Sequence, residues 1–273
     1  MMSSGKLGEI LPEDEASWKD RLFLTIDIDW AHDEVLSDTI DLVDQAGVYA
    51  TWFVTHDTPG LERLRANPRY ELGIHPNFNW LLAGDARQGA DAREVVARLQ
   101  AIVPEARCVR SHSMAQSTGL LQVFADAGLT HDANHFIPAA AGIPLKPWRL
   151  WNGMVRIPYD WEDDVTCAYE EMAMAAPGVA ETGRMGGLHV FDFHPIHVFL
   201  NTESLDRYER TRPFHRNPGE LIKYRFDGYG TRATGCWNCW NLRGNCETQN
   251  IRRRLDPKSR RRRDGAVRKP LER

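Results

Sequence analysis

Two aspartates, one residue apart, end an apolar segment near the N-terminus. Residues 22–30 read LFLTIDIDW, so Asp27 and Asp29 follow a run of apolar and β-branched side chains. Side chains alternate between the two faces of a strand, which places Thr25, Asp27 and Asp29 on one face. Neighbouring carboxylates at the end of a buried strand repel each other unless a cation or a shared proton lies between them. The segment therefore indicates either a metal-centred catalytic site or a solvated acidic loop.

Titratable residues also follow most of the other predicted strands. Strands alternate with amphipathic helical segments, which indicates βα units around a parallel sheet or barrel. In such folds the side chains that carry out chemistry lie at the C-terminal ends of the strands. The residues after successive strands are Asp27 and Asp29; His56 and Asp57; His75; Arg110 and His112; His131 and Asp132; Asp160, Trp161 and Asp163; His194 and His197. This distribution predicts that the strand ends converge on one polar site.

Hydrophobic periodicity sets the expected elements. It predicts a helix over 35–46 that ends at Gly47, a helix after a capping box at Asp91, and a helix that begins at Ser117. Strands are expected over 22–30, 48–54, 70–74, 107–109, 129–132 and 187–193, with one or two more within 148–159. Asp163 and Asp164 are interpreted as part of a solvated loop.

Composition restricts the class of protein. The chain has 273 residues, 42% hydrophobic and 26% charged, which is typical of a soluble globular protein with one large domain or two small ones. The sequence shows neither a signal peptide nor an apolar segment long enough to span a membrane, which predicts a cytoplasmic protein. Five cysteines, three of them within residues 236–246, do not indicate a disulfide scaffold. The oligomeric state is not set by the sequence.

Charge divides the chain into an acidic body and a basic tail. The net charge is −4, and residues 251–273 contribute +8, so the rest carries −12. An acidic body argues against nucleic acid as the main partner. The expected organisation is a polar N-terminal lead-in (1–20), one catalytic domain (21–232) and an irregular tail (233–273). The tail lacks periodicity and is expected to be disordered, as the product of a shifted reading frame near the end.

The residue types at the predicted strand ends match one kind of chemistry. Aspartate and histidine from separate strands are ordinary ligands of Zn²⁺ or a similar divalent ion. One carboxylate can bind the metal while the other takes a proton from metal-bound water, and Arg110 can keep that second carboxylate ionised. A histidine can then protonate the leaving amine or alkoxide. Together these groups indicate metal-assisted hydrolysis of an amide or ester.

The order of these motifs resembles the NodB-like polysaccharide deacetylases, carbohydrate esterase family four. Their motifs correspond here to TIDID (25–29), HPNFN (75–79), RSHS (110–113), DWEDD (160–164) and FHPIH (193–197). Strings such as TIDIDWAHDEV, ELGIHPNFN and VFDFHPIHVFLNTES resemble the WbmS-like branch, associated with bacterial O-antigen loci. The resemblance covers about residues 22–231 and implies a distorted (β/α) barrel.

The resemblance also implies a role for each matching residue. The implied catalytic residues are Asp27 as base, Arg110 as the residue that orients it, and His194 as general acid. The implied metal ligands are Asp29, His75 and the residue at position 79, and the implied substrate-binding residues are Trp161, His112 and Asp160.

The sequence departs from the family pattern at two points. Ile28 separates the two aspartates, which are adjacent in the family, so the base and the ligand could be exchanged. Asn79 stands where the family has its second metal histidine. The site could therefore take a harder ion, Asn79 could serve only as a hydrogen-bonding residue, or another imidazole such as His112 could complete the ligand set.

The expected function is metal-dependent removal of an acyl group, N-acetyl first, from a sugar in surface-polysaccharide or O-antigen biosynthesis. A cytoplasmic enzyme would act on a nucleotide-linked or lipid-linked sugar. Two alternatives remain open from the sequence. One is hydrolysis of a small-molecule amide, as in allantoinase-like proteins of the same fold, and the other is a carbohydrate-binding protein that has lost its metal.

Overall fold

A largely parallel sheet forms the centre of the molecule. The computed structural model describes residues 3–138, 141–168 and 187–227. Within these ranges the strands are β1 (Ser3–Ser4), β2 (Arg21–Asp27), β3 (Ala50–Val54), β4 (Tyr70–Ile74), β5 (Cys108–Val109), β6 (His131–Phe136), β7 (Trp148–Arg149), β8 (Val155–Tyr159), β9 (Trp161–Glu162) and β10 (His189–Phe193). They lie in the order β7-β8-β6-β5-β4-β3-β2-β10-β9, with β1 beside β2. Only the β7–β8 pair is antiparallel among these strands.

The chain path curls this sheet into a barrel. Strands β8 and β9 lie near opposite ends of the strand order, yet Asp160 alone separates them in sequence. The backbone N–H of Asp160 donates to the carbonyl of Val190 in β10, at 3.2 Å. A single residue cannot cross a flat sheet of this width, so the two ends of the sheet come together.

Helices connect the strands and cover the outside of the sheet. The α-helices are α1 (Asp33–Ala46), α2 (Gly60–Ala66), α3 (Asn79–Leu82), α4 (Ala92–Gln100), α5 (Thr118–Asp126), α6 (Asp163–Ala168), α7 (Pro195–Leu200), α8 (Leu205–Thr211) and α9 (Pro218–Leu221). Helix α1 ends as predicted at Gly47, whose φ of 65° suits a residue without a Cβ. Asp91 and Ser117 cap α4 and α5, again as the sequence indicated. None of the helices described here combines the length and the apolar character needed to cross a bilayer.

The N-terminal segment contributes to the core, in contrast to the polar lead-in expected from its composition. Leu7 and Ile10 are fully buried and pack in a cluster with Phe23, Phe53 and Val190. The few apolar residues scattered through this polar segment give no periodic pattern, so composition alone concealed this contact. Residues 233–273, where the sequence predicts a separate tail, lie outside the described residues.

We expect the Ile10→Val substitution to lower the free energy of unfolding by about 0.5–1.5 kcal/mol, because it removes one methylene from a close-packed site. Denaturant titration of the full chain measures this difference. Leu11→Val is the matched control, since Leu11 is 46% exposed and should change stability by less than about 0.5 kcal/mol. Equal effects of the two substitutions would show that the segment does not stabilise the fold.

Several strands have limits different from those predicted, and in two of them the difference moves polar residues. Strand β2 stops at Asp27, so Asp29 follows the strand instead of belonging to it. Strand β6 begins at His131, whereas the apolar pattern suggested that a strand ends at Asp132. His131 therefore lies at the start of its strand, where Nε2 is 3.1 Å from the carbonyl oxygen of Ile10. It does not join the polar residues at the strand ends.

Candidate functional site

Several of the strand-end residues line one cavity. Its volume is about 480 Å³. The residues that line it are Asp29, Trp30, Ala31, His32, Val35, His112, Asp164, Ala168, His194, Ile196, His197, Leu205, Tyr208, His215 and Arg216. The titratable residues Asp29, His112 and His194 lie in the segments that follow β2, β5 and β10. The C-terminal ends of these strands meet at the same edge of the sheet. The convergence inferred from the sequence is therefore observed for these three segments.

Residues with positive φ set the directions of two of these side chains, Asp29 and His112. Asp29 and Trp30 have φ values of 35° and 53°, and Ser113 and Met114, after His112, have 56° and 52°. Positive φ is uncommon outside glycine and costs free energy, and such residues concentrate at functional sites. The two strained turns meet where the rings of Trp30 and His112 pack edge to face, with centroids 5.1 Å apart.

Three ligand-type atoms converge beside these turns. Asp29 Oδ1 lies 3.3 Å from His75 Nε2 and 3.4 Å from His112 Nδ1. The two imidazole nitrogens are themselves 3.3 Å apart. Asp29 Oδ1 is buried without a hydrogen-bond partner among the described residues. These atoms form a nearly equilateral triangle, which we call the Asp29–His75–His112 cluster.

His75 connects the two aspartates of the opening segment. Its Nδ1 lies 3.3 Å from Asp27 Oδ2, while its Nε2 faces Asp29. Burial lowers the pKa of His75 to about 3, so the ring is neutral near pH 7 and carries one proton. A proton on Nδ1, facing Asp27, leaves the lone pair of Nε2 directed at the cluster.

The carboxyl groups of Asp27 and Asp29 lie in different surroundings. Burial, followed by the neighbouring carboxylate of Asp192, raises the pKa of Asp27 well above its usual value. Burial, the largest single cause, disfavours ionisation of Asp29, but the surrounding imidazoles of His112, His75 and His194 together lower its pKa by more, so the net pKa of Asp29 falls. Asp29 is thus the carboxylate that stays ionised next to the cavity.

Arg110 lies in a buried network behind the cluster. Its Nη1 donates to Asp27 Oδ1 at 3.0 Å, to Thr25 Oγ1 at 2.9 Å and to Asp192. Its guanidinium also stacks on the ring of Tyr159, with 4.5 Å between the guanidinium carbon and the ring centroid. Because the charge is desolvated and shared between two carboxylates, Arg110 fixes the orientation of Asp27.

His194 enters the site from the end of β10. Its Nδ1 lies 2.7 Å from Asp163 Oδ1, and its backbone N–H donates to Asp163 Oδ2 at 2.8 Å. Its Nε2 lies 3.7 Å from Asp29 Oδ2. Burial lowers the pKa of His194, but the surrounding carboxylates, first Asp163 by its charge and hydrogen bond and then Asp164 and Asp29, together raise it well above its ordinary value. His194 is therefore a protonated imidazole at neutral pH, placed beside the Asp29 carboxylate.

Sequence comparison agrees with this arrangement. A family model described as WbmS-like polysaccharide deacetylase matches residues 24–212, which include every residue of the network described above. The chain belongs to the WbmS-like polysaccharide deacetylase family. The resemblance seen in the motifs is thereby confirmed. A comparison with curated protein sequences gives no match.

Solved structures confirm the distorted (β/α) barrel. The fold of this WbmS-like chain is similar to that of a candidate polysaccharide deacetylase involved in O-antigen biosynthesis from Bordetella bronchiseptica, with a TM-score of 0.80. That match has 46% sequence identity and covers 89% of this chain and 98% of the other. A candidate polysaccharide deacetylase from Mycobacterium smegmatis matches at a TM-score of 0.50 and 15% identity, over 92% of this chain and 94% of the other, which shows the fold alone.

Three residues that the family motifs assign to the site lie apart from the cluster. Asn79 is exposed, and its side-chain N–H donates to Ser113 Oγ at 3.1 Å. Trp161 is buried against Phe193, with ring centroids 4.8 Å apart, and is not part of the cavity wall. Asp160 contacts His189 Nδ1 at 3.1 Å, where it joins β10 to the segment between β8 and β9.

Sequence reasoning missed one aspartate of this WbmS-like site, Asp192, and misjudged another, Asp163, which follows a predicted strand. Asp163, interpreted as solvated loop, is fully buried as the partner of His194, because the loop turns inward to begin α6. Asp192 lies inside β10 in register with Thr25, so its carboxyl points towards Arg110. The sequence feature that could have identified Asp192 is the alternation of side chains between the two faces of a strand, because Asp192 occupies an inward position between Phe191 and Phe193.

We expect Asp163→Asn to lower the pKa of His194 by about one to three pH units, because the variant loses the adjacent negative charge. Folded-state stabilisation from a raised histidine pKa is largest below its ordinary value and disappears as the pH rises through the folded-state value. The stability gap between wild type and variant should therefore be wider at pH 5 than at pH 9. NMR titration of the metal-free protein, with Asp160→Asn as control, measures the pKa. An unchanged His194 titration in Asp163→Asn would contradict this assignment.

Proposed function

We propose that the protein is a metal-dependent hydrolase that removes an acyl group, N-acetyl first, from a sugar in bacterial surface-polysaccharide or O-antigen biosynthesis. One observation carries the proposal: the Asp29–His75–His112 cluster and the Asp163–His194 pair meet at one cavity. Family membership supports deacetylation, and the Bordetella relative supports O-antigen biosynthesis. The sugar, its nucleotide or lipid carrier and the cytoplasmic location stay predictions.

The cluster fits a divalent ion in both chemistry and size. Two neutral imidazoles and one carboxylate form a donor set that suits Zn²⁺. The ligand atoms of a tetrahedral zinc ion lie about 3.3–3.4 Å apart, given bonds of about 2.0–2.1 Å. The three distances in the cluster are 3.3, 3.3 and 3.4 Å. The buried Oδ1 of Asp29 also lacks a partner that an ion would supply.

His112 therefore takes the place in the ligand set that Asn79 was expected to fill. The side chain of Asn79 contacts Ser113, while the ring of His112 contacts both other members of the cluster. A bound zinc ion would polarise the acyl carbonyl and lower the pKa of a water molecule.

The remaining groups have separate tasks in the proposed reaction. Protonated His194 donates a proton to the leaving amine, and Asp163 maintains its charge and its orientation. Asp27, oriented by Arg110, is the proton acceptor that the family motifs imply, and it also fixes the ring of His75. Trp30 offers an aromatic surface within the cavity on which a sugar ring can pack.

Elemental analysis combined with an acetate-release assay tests the proposal. We expect about one divalent ion per chain and release of acetate from N-acetylated sugars, with both lost after chelation and restored by Zn²⁺. A parallel screen of ureide substrates separates sugar deacetylation from allantoinase-like hydrolysis. A protein that binds no divalent ion and gains no activity when Zn²⁺ is added would overturn the hydrolase assignment and favour a binding protein.

A further inference from the structure

An arginine lines the cavity together with histidines. Arg216 lies between α8 and α9, is exposed, and forms part of the cavity wall next to His215. His32, on the same wall, accepts a hydrogen bond on Nδ1 from the backbone N–H of Glu34 at 3.2 Å. A neutral His32 therefore carries its proton on Nε2, where it is available as a donor.

Within the described part of the chain, the lack of an ion-pair partner distinguishes Arg216 from its neighbours. Every other arginine in the last described stretch contacts a carboxylate: Arg207 with Glu203, Arg210 with Asp206, Arg212 with Glu209 and Arg225 with Asp38. Among the residues that the structure describes, no ion pair includes Arg216. It is also the member of this group that faces the cavity. A protein with an acidic body thus exposes at its candidate active site a guanidinium that none of the described carboxylates pairs with.

The two acidic residues of the cavity wall have their own neighbours within the site. Asp29 belongs to the cluster, and Asp164 lies close to His194 and Glu162. Apart from these two, the described cavity wall contains apolar side chains, Trp30, Tyr208, histidines and Arg216, so Arg216 is its one permanently charged cation. A guanidinium that faces a ligand cavity is a strong bidentate donor to phosphate and carboxylate.

We propose that Arg216 binds an anionic group of the substrate, which is either the phosphate of a sugar phosphate or the carboxylate of an acidic sugar. This inference rests on the proposed function, because it assigns a substrate class to the same cavity. His32 provides a second donor on that wall. A neutral, unmodified sugar would leave the Arg216 guanidinium without a partner.

Calorimetric titration of the full, zinc-loaded chain at fixed ionic strength tests the inference. The probes are N-acetylglucosamine, N-acetylglucosamine 1-phosphate and N-acetylneuraminic acid, which separate a neutral sugar, a phosphate and a carboxylate. We expect at least one anionic probe to bind about tenfold more tightly than the neutral one, and Arg216→Met to abolish that difference. Arg216→Lys should retain part of it. Arg212→Met is the matched control, since Arg212 pairs with Glu209 and lies outside the cavity wall.

Each outcome of the titration either supports the proposal or overturns it. Loss of the preference in Arg216→Met but not in Arg212→Met supports it, and the preferred probe identifies phosphate or carboxylate as the source. Equal binding of all three probes, no binding of either anion, or an anion preference that survives in Arg216→Met overturns it. Acetate release from neutral sugars by a protein without anion preference would retain the proposed function and reject only this inference.

Discussion

Replacing Asp29 by asparagine is expected to remove divalent-ion binding and to lower acetate release by about 1,000-fold or more, since a bound divalent ion supplies several kcal/mol of stabilisation to the transition state. The variant keeps nearly the same shape, and asparagine tolerates the positive φ at this position. It loses only the negative charge that completes the cluster with His75 and His112. Metal content per chain and the rate of acetate release measure the two effects together.

The control for this experiment is His32→Asn. His32 lines the same cavity and caps α1, a role that asparagine can fill, but it contacts no member of the cluster. The control should therefore bind the ion as the wild type does. If Asp29→Asn kept the metal content of the wild type, Asp29 would not be a ligand of the ion.

Replacing Arg110 by methionine is expected to lower the free energy of unfolding by about 3–5 kcal/mol, because two buried carboxyl groups lose their shared counter-charge. Asp27 and Asp192 are almost inaccessible to solvent, and each contacts the guanidinium. The double variant Arg110→Met with Asp192→Asn should recover part of the loss, because it leaves a single buried carboxylate. Chemical denaturation of the metal-free proteins measures all of these differences.

Arg63→Met is the matched control, since Arg63 also contacts two aspartates, Asp41 and Asp44, but at a partly exposed position. We expect it to cost about 1 kcal/mol or less, as is usual for surface ion pairs. If Arg110→Met were no more damaging than Arg63→Met, the buried network would not be a major source of stability.

The sequence predicted part of the set of strands that supply the site. Asp29 and His75 both follow clear apolar strands, and the rule that chemistry lies at strand ends brings them together. The same rule also selected His131, which lies at the start of its strand. Helix α1 and strand β4 were also predicted closely, because their patterns are strong and their ends carry ordinary signals.

Features that depend on loop geometry could not be predicted. The positive φ at Asp29 and Ser113 directs Asp29 and His112 towards each other, and side-chain periodicity contains no information about such turns. Asp163 was misjudged because a run of acidic residues usually indicates solvent, whereas here one of them is buried against His194. The choice between Asn79 and His112 depended on contacts between residues 34 or more positions apart in the chain, which no local pattern encodes.

The position of β10 has a consequence for the newly synthesised chain. Strand β2 pairs with β10, and the hydrogen-bonded side chains of Thr25 and Asp192 are 167 residues apart in sequence. At typical translation rates, β2 waits roughly 10–30 s on the ribosome before that partner exists. During this interval one long edge of an apolar strand is open to pairing with other chains. We therefore expect this step to be the point at which nascent molecules are most vulnerable to aggregation and most dependent on chaperones.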